Sequence, residues 1–271
     1  MYVFICEDTI DGIFTAVYNA WDSHLGHKNI YILAKEPENY ELFCEYIRVE
    51  TDLEKSKKVA DTIKRRLGVT VYTTLCEAIM AEEPCPKKTS RMNAADTFSI
   101  TKADAFYRTL LYAFSMENPT RIMECLGNPY VLYLFELSRN VHTEAHHLLG
   151  FLRFQELQNG ILFAETHPKN YVLPILGDHF SDRLPGENFM IYDKNRKLAL
   201  IHRAGIKNFL ITDASSINQE MIHNYSASEL EYQKLWCGFF ESITIEARKN
   251  PKLQNQNIPK RFQKDAVEFQ K

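Results

Sequence analysis

The sequence predicts an α+β fold, in which a small N-terminal α/β unit precedes a larger, mainly helical domain that contains an antiparallel sheet. Three observations lead to this prediction. Short apolar runs alternate with helical periodicity up to about residue 85, long helical patterns follow to about residue 149, and two hairpin signals come next. We therefore expect two domains, residues 1–85 and 86–271.

The N-terminal unit alternates strands and helices. Short apolar runs predict strands at 2–6, 29–33 and 45–49, and apolar residues at helical spacing predict helices at 13–21, 52–67 and 69–82. The polar, proline-bearing segment after residue 82 indicates a domain boundary near residue 85. The helix at 52–67 contains six Lys and Arg against three Asp and Glu, which is typical of a solvated helix face, and a phosphate-facing surface is the alternative.

The second domain begins with helices and continues with strands. Helices are predicted at 101–116, 121–126 and 129–149, the last with a core-facing stripe formed by Leu134, Leu137, Val141, Ala145 and Leu148. The Asn159-Gly160 pair predicts a hairpin between strands at 151–157 and 161–165. A helix starting at Pro168 should precede a second strand pair at 189–192 and 198–202, and an edge strand is possible at 206–212.

The C-terminal part contains a long helix and a basic tail. Ser226 and Glu229 form a capping box that starts the helix, and Asn250-Pro251 is expected to end it. Residues 248–271 contain seven Lys and Arg against two acidic residues. The tail is therefore the candidate nucleic-acid-binding segment, with contacts expected from Arg248, Lys252, Lys260 and Arg261.

Composition excludes several classes of protein. The 32 Lys and Arg nearly balance the 35 Asp and Glu, so any DNA contact must come from local basic patches. No apolar run is long enough for a membrane span, and no signal-peptide pattern is present. The six scattered cysteines, without a Cys-x-x-Cys pair, indicate reduced thiols in a cytoplasmic protein.

Residues 136–183 hold five of the nine histidines. His142 and His146 have the spacing of a helical metal site, but Glu144 stands one position later than the glutamate of zinc peptidases, so we expect no metal. Glu144 borders the apolar stripe and needs a cation or an imidazole, which Arg153, His179 or Arg183 could supply. Such a carboxylate is either a general base or half of a structural ion pair, and both readings stay open.

Motifs for several enzyme classes are absent from the sequence. It contains no Gly-rich phosphate loop, no Gly-x-Ser-x-Gly elbow and no Cys-x3-Cys-x2-Cys ligand set. These absences argue against a nucleotide hydrolase, a serine hydrolase and an iron–sulfur radical enzyme. No cofactor is expected, and whether the protein is an enzyme is left open.

A series of motifs along the chain resembles a known bacterial family. They are Asp11-Gly12 with Thr15-Ala16-Val17, Glu144-x-His146, Gly150-Phe151-x-Arg153-Phe154, Gly160-x-Leu162-x-Ala164, His179-Phe180-x-x-Arg183, Ile191-Tyr192-Asp193-x-x-Arg196, Asn250-Pro251-x-Leu253-Gln254 and Pro259-Lys260-Arg261. The family is described as radical-SAM-associated DNA metabolism proteins, and its C-terminal domain also occurs fused to uracil-DNA-glycosylase-like domains. At the first turn this sequence has Glu7-Asp8 where the family has Asp-Gly.

The resemblance implies a role in DNA repair or modification beside a separate radical SAM protein. The family's polar motif positions coincide with the candidate catalytic residues Glu144, His146, Arg153, His179, Arg183, Asp193 and Arg196. The leading hypothesis is a DNA-binding or DNA-processing component. Two alternatives are a protein adaptor for the radical SAM partner that does not contact DNA, and a glycosylase-like hydrolase in which Glu144 or Asp193 activates water.

Overall fold

A computed structural model describes residues 1–37, 39–83, 99–217, 222–263 and 266–269. The chain forms two compact units, Met1–His142 and Thr143–Lys271. The predicted boundary near residue 85 lies outside the described residues. The first unit also contains the helices between residues 101 and 142, which the sequence assigned to the second domain. The expected α+β class is confirmed.

The first unit is built on a parallel sheet of three strands. In chain order these are β1 (Tyr2–Ile5), β2 (Ile30–Leu33) and β3 (Glu45–Arg48). β1 lies in the centre and pairs in parallel with both neighbours. Its residues Val3 and Phe4 are buried, which explains why this strand is a continuous apolar run. The three predicted strands are confirmed.

This unit also contains helices, and polar residues cap several of them. They are α1 (Ile10–Asp22), α2 (Leu53–Leu67), α3 (Val69–Met80) and α4 (Lys102–Ser115). The side chains of Thr9, Asp52 and Thr101 accept hydrogen bonds from backbone N–H groups at the starts of α1, α2 and α4. Gly68 has φ of 90°, a value that glycine adopts easily, and it separates α2 from α3.

Two buried charges anchor the start of α4. Lys102 donates to the carbonyl oxygens of Ile79 and Ala81 and lies 2.6 Å from an Asp8 carboxylate oxygen. Asp104 is 3% exposed and pairs with Arg108, Oδ2 to Nε 3.4 Å. Burial raises the pKa of Asp104 to about 6, although Arg108 acts in the opposite direction. The unit therefore places an ionisable carboxyl group in its core.

The helix α5 (Pro129–Phe151) is the longest element that the structure describes. Its start is capped by Asn128, whose side chain accepts from the N–H groups of Tyr130 and Val131. The predicted apolar stripe is buried along the helix. Where a helix was predicted at 121–126, the chain forms a 3-10 helix, Pro119–Glu124. α5 passes from the first unit into the second at His142.

The second unit contains a five-stranded sheet in the order β4-β5-β6-β7-β8. Its strands are β4 (Gln155–Glu156), β5 (Leu162–Thr166), β6 (Phe189–Asp193), β7 (Leu198–His202) and β8 (Phe209–Asp213). The predicted hairpins β4–β5 and β6–β7 are antiparallel, and the predicted edge strand β8 pairs antiparallel with β7. In contrast, β5 and β6 pair in parallel. The sheet is therefore mixed, because the helix α6 (Leu173–Arg183) connects β5 to β6 and a crossover returns the chain in the same direction.

The predicted start of α6 at Pro168 is wrong, since the helix begins at Leu173. The preceding residues form a loop whose backbone groups bind side chains instead of continuing the helix. α6 packs closely on the sheet at Gly177, where an added Cβ would lie 2.6 Å from side-chain atoms of Leu200 and Phe209. Helix and sheet thus fix both ends of the loop.

The helices α7 (Ala227–Ser242), α8 (Pro251–Asn257) and α9 (Lys260–Gln263) follow the sheet. The predicted N-cap is confirmed at Ser226, whose hydroxyl accepts from the Glu229 N–H. The reciprocal bond of the capping box is replaced, because the Ser226 N–H donates to the Glu156 carbonyl oxygen and the Glu229 carboxylate accepts from the Glu156 N–H. The expectation that Asn250-Pro251 ends this helix is wrong, because α7 ends at Ser242 and the Asn250 side chain caps α8. Among the described residues, every helix is too short or too polar to cross a lipid bilayer.

Candidate functional site

The candidate site lies at the carboxyl ends of the parallel strands β5 and β6. Thr166 and Asp193 end these strands and are register partners. Open sheets with parallel strands commonly bind ligands at this edge, because the loops that leave the strands converge there. The loop after β5, residues 167–172, is called the β5–α6 loop below. Its backbone groups form hydrogen bonds with the candidate residues Glu144 and Arg196.

Glu144 holds this loop from α5. It is 1% exposed, and its Oε1 accepts from the Lys169 N–H at 3.1 Å. Its Oε2 accepts from the N–H and the side-chain amide of Asn170 at 2.8 and 2.7 Å. Arg261 completes the set, with Nη1 at 3.1 Å from Oε1. The four donors correspond to the roughly four acceptor positions of a carboxylate.

Arg196 holds the same loop from the turn after β6, and Asp193 fixes that turn. Asp193 is fully buried, and its Oδ1 accepts from the N–H groups of Asn195 and Arg196 at 3.0 and 3.1 Å, which fixes the turn. Arg196 donates to the carbonyl oxygens of Pro168, at 3.2 Å, and Lys169. Burial raises the pKa of Asp193, and its hydrogen bonds with Arg196 act in the opposite direction.

The β5–α6 loop is therefore bound on both sides of its backbone. A carboxylate accepts from its N–H groups and a guanidinium donates to its carbonyl groups. Charge-assisted hydrogen bonds of this kind are about twice as strong as neutral ones. The local sequence of the loop contains neither partner, so these contacts explain why the helix predicted from Pro168 does not form there.

The C-terminal residues cover this region. Phe262 is buried, with its ring 5.4 Å from that of His147 and 6.0 Å from that of Phe151. Glu268 binds Arg153, with Oε1 2.9 Å from Nη2. Burial alone would raise the pKa of Glu268, but hydrogen bonds that include the one from Arg153 hold its pKa below the usual value. Phe262 and Glu268 thus pack this part of the basic tail onto its own unit.

The sequence-predicted residues separate into groups. Glu144 and Arg196 bind the backbone of the β5–α6 loop, and Asp193 binds Arg196. Arg153 binds Glu268 and the carbonyl oxygens of Gly150 and Leu152 at the end of α5. The remaining three candidates are exposed and form no hydrogen bond or ion pair with the cluster in the part of the chain that the structure describes: His146, His179 and Arg183.

The geometry favours the structural reading of Glu144, and its catalytic role stays a prediction. A general base needs a free lone pair within about 2.6–3.2 Å of the proton that it removes. All four acceptor positions of Glu144 are engaged, and Asp193 binds two N–H groups and Arg196. Glu144 therefore has no open acceptor position for a water molecule, whereas Asp193 has three of its roughly four positions engaged.

The predicted DNA-binding residues of the tail also differ from one another. Arg261 is 40% exposed and pairs with Glu144, so its charge is already compensated. Arg248, Lys252 and Lys260 are exposed and make no ion pair with any described residue. Their neighbour Lys249 binds Glu246, Nζ to Oε1 2.5 Å. These three uncompensated cations are called the tail cations below.

Sequence reasoning missed two features of this unit. The first is the pair of residues that fix the loop and the tail: Asn170 binds Glu144, and Phe262 packs against His147. Phe262 is an aromatic residue within a charged segment, and this pattern could have indicated that the tail packs against the rest of the unit. The other feature is the apolar face of α7, which is largely exposed: Tyr232 68%, Leu235 68%, Trp236 44%, Phe239 54% and Ile243 57%. Exposed apolar surface of this extent on a helix is typical of a protein-binding site.

Comparisons with known proteins give one match. A family model described as a domain of unknown function, DUF4130, matches residues 101–268. The matched range covers more than half of the chain and includes the β5–α6 loop, α7 and the tail cations. A search of curated proteins gives no match.

Proposed function

The chain belongs to the DUF4130 family, and we propose from its surface chemistry that it is a DNA-binding component of a DNA repair or modification system. In this proposal it works in the cytoplasm with a separate radical SAM enzyme, as the sequence resemblance implies. The tail cations carry the DNA part of the proposal. Among the tail residues that the structure describes, they are the ones whose charge is free to bind phosphate.

The tail cations are suited to phosphate in two respects. Phosphate contacts fix a protein on nucleic acid without reading its sequence, and exposed Lys and Arg side chains make most of them. Each contact that neutralises a phosphate releases counterions, so affinity falls with added salt. Arg248, Lys252 and Lys260 would together give a slope of log K against log salt of roughly −2 to −3 for double-stranded DNA.

Substitution of the tail cations should therefore weaken DNA binding. We expect the triple variant Arg248→Ala, Lys252→Ala, Lys260→Ala to lose most of its affinity for labelled DNA at about 50 mM salt and most of its salt dependence. Fluorescence anisotropy of single- and double-stranded DNA at about 50 and 200 mM salt measures both quantities.

Lys249→Ala is the matched control, because this lysine lies in the same segment but pairs with Glu246. Its effect on affinity should be clearly smaller than that of Lys252→Ala. Arg261 is left intact because its removal would uncover the buried Glu144 and disturb the fold. Affinity that does not respond to salt, or equal affinity of wild type and the triple variant, would contradict the proposal.

The adaptor alternative is supported by the apolar face of α7. Leu235 and Phe239 are one helical turn apart and more than half exposed, as expected for anchors that insert into a groove of a partner. The partner in this alternative is the radical SAM protein that the resemblance implies. The adaptor would position that enzyme and would not bind DNA.

We expect Leu235→Asp with Phe239→Asp to abolish capture of the co-expressed radical SAM protein if the adaptor function is correct. The pull-down is carried out after nuclease treatment, so that DNA cannot bridge the two proteins. Glu231→Lys, an exposed charge change on the same helix, is the control and should leave capture unchanged. Capture that survives the double substitution would exclude this face as the docking site.

A further inference from the structure

A cleft of about 440 Å³ opens between α1, α2 and α4 in the Met1–His142 unit. This volume lies within the range of small-molecule sites. The floor is apolar and consists of Val17, Ile63 and Leu110, each at most 3% exposed. The cleft is separate from the β5–α6 loop and the tail, since all its lining residues belong to the first unit.

Aromatic side chains form one wall of the cleft. Trp21 is 37% exposed, and its ring meets that of Phe114 edge-on with centroids 5.7 Å apart. His27 and Tyr107 contact the same indole, at 4.8 and 6.2 Å between centroids. These neighbours hold the indole in place while part of it remains open to the cleft. A fixed and partly open aromatic ring is suited to stacking a planar ligand.

Cations line the rim of the cleft. Lys58, Arg65 and Arg66 all come from α2, and Asp22 is the one carboxylate among the residues that line the cleft. The Arg66 guanidinium lies 5.6 Å from the centre of the Phe114 ring, which draws its charge towards the aromatic wall. None of the three cations makes an ion pair within the described parts of the chain. Their charge is therefore available to an anionic ligand.

An apolar floor, an aromatic wall and a cationic rim match the parts of a nucleotide. A base would stack on the indole, and its phosphate would bind the rim. We propose that this cleft binds a nucleotide unit, with the base on Trp21 and the phosphate at Lys58, Arg65 and Arg66. The inference rests on the proposed function only in taking single-stranded DNA as the source of the nucleotide.

The test uses the full chain with Trp236→Phe, which leaves Trp21 as the remaining tryptophan of the two in the sequence. Thymidine 5′-monophosphate should quench its fluorescence in a saturable way. Thymidine alone and inorganic phosphate alone should each bind about tenfold more weakly or worse, because each lacks one of the two contacts. Tighter binding of oligothymidylate assigns the cleft to a DNA strand, and equal binding assigns it to a free nucleotide.

Arg65→Glu should weaken binding of the monophosphate by about tenfold or more, since a charge-assisted contact is replaced by repulsion. Lys57→Glu makes the same charge change at an exposed position of α2 outside the cleft and should have little effect. Absence of quenching, or equal losses in both variants, would overturn the proposal. Circular dichroism confirms that each variant is folded.

The triple variant of the tail cations distinguishes the nucleotide site from the proposed DNA-binding function. The triple tail variant should bind the monophosphate as wild type does, because its substitutions lie in the other unit. If the protein binds the nucleotide and the tail variant keeps its DNA affinity, the DNA-binding role of the tail is rejected and the nucleotide site in the cleft is supported. If the tail variant loses DNA affinity and the nucleotide does not bind, the role of the tail is supported and the nucleotide site is rejected.

Discussion

Replacement of Glu144 by leucine is expected to lower the free energy of unfolding by about 3–5 kcal/mol. The substitution leaves the N–H groups of Lys169 and Asn170 without an acceptor and removes the counter-charge of Arg261. Each unsatisfied buried donor costs about 1–3 kcal/mol. Urea denaturation followed by circular dichroism measures the loss.

Two further variants test whether the ion pair is the cause. Glu136→Leu removes an exposed carboxylate from the same helix and should change stability by less than about 0.5 kcal/mol. Arg261→Ala should cost much less in the Glu144→Leu background than in wild type, because the two residues share one interaction. Additive effects would show that Arg261 does not contribute to the role of Glu144. A loss below about 1 kcal/mol for Glu144→Leu would reject the structural role and favour the catalytic reading.

Asp104 is expected to make the protein less stable as pH rises from about 4 to 6. Its pKa is raised from 3.8 to about 6 in the folded chain, so the folded state binds its proton more tightly than the unfolded state. The stabilisation that protonation gives is complete below the unfolded pKa and is lost as pH rises through the folded pKa. The rise in the pKa of Asp104 from 3.8 to about 6 corresponds to about 3 kcal/mol in the free energy of unfolding.

Asp104→Asn isolates this contribution, because the other titrating groups are common to both proteins. Arg108 keeps the carbonyl oxygens of His27 and Ile30 as acceptors, so the variant should remain folded. Its stability relative to wild type should increase between pH 4 and pH 6. A difference that stays constant or changes in the opposite direction would show that Asp104 is ionised in the core at little cost.

Elements governed by local pattern were predictable from the sequence. The apolar stripe of α5, the Asn159-Gly160 hairpin and the Ser226 N-cap depend on neighbouring residues, and all three are confirmed. The parallel pairing of β5 and β6 could also have been predicted from the sequence, since a helix separates the two strands along the chain. The prediction of an antiparallel sheet considered each hairpin by itself and did not consider how the hairpins join.

The remaining differences come from contacts between distant residues. The β5–α6 loop has helical periodicity, but Glu144 and Arg196 bind its backbone groups and the helix begins only at Leu173. The pairing of Glu144 with Arg261 could not be read from spacing, because the sequence offered Arg153, His179 and Arg183 as nearer cations. The apolar residues of α7 were recognised, but sequence alone does not indicate that they face outwards.

The position of Arg261 in the sequence has a consequence for biosynthesis. Glu144 is made early in the second unit, whereas α9, which supplies its cation and the covering ring of Phe262, is made far later. Domains fold as units during synthesis, and pairs distant in sequence close slowly because the intervening chain must first be ordered. We therefore expect Glu144 to lack its cation while the chain is still emerging from the ribosome, and the unit to close only after α9 has been made.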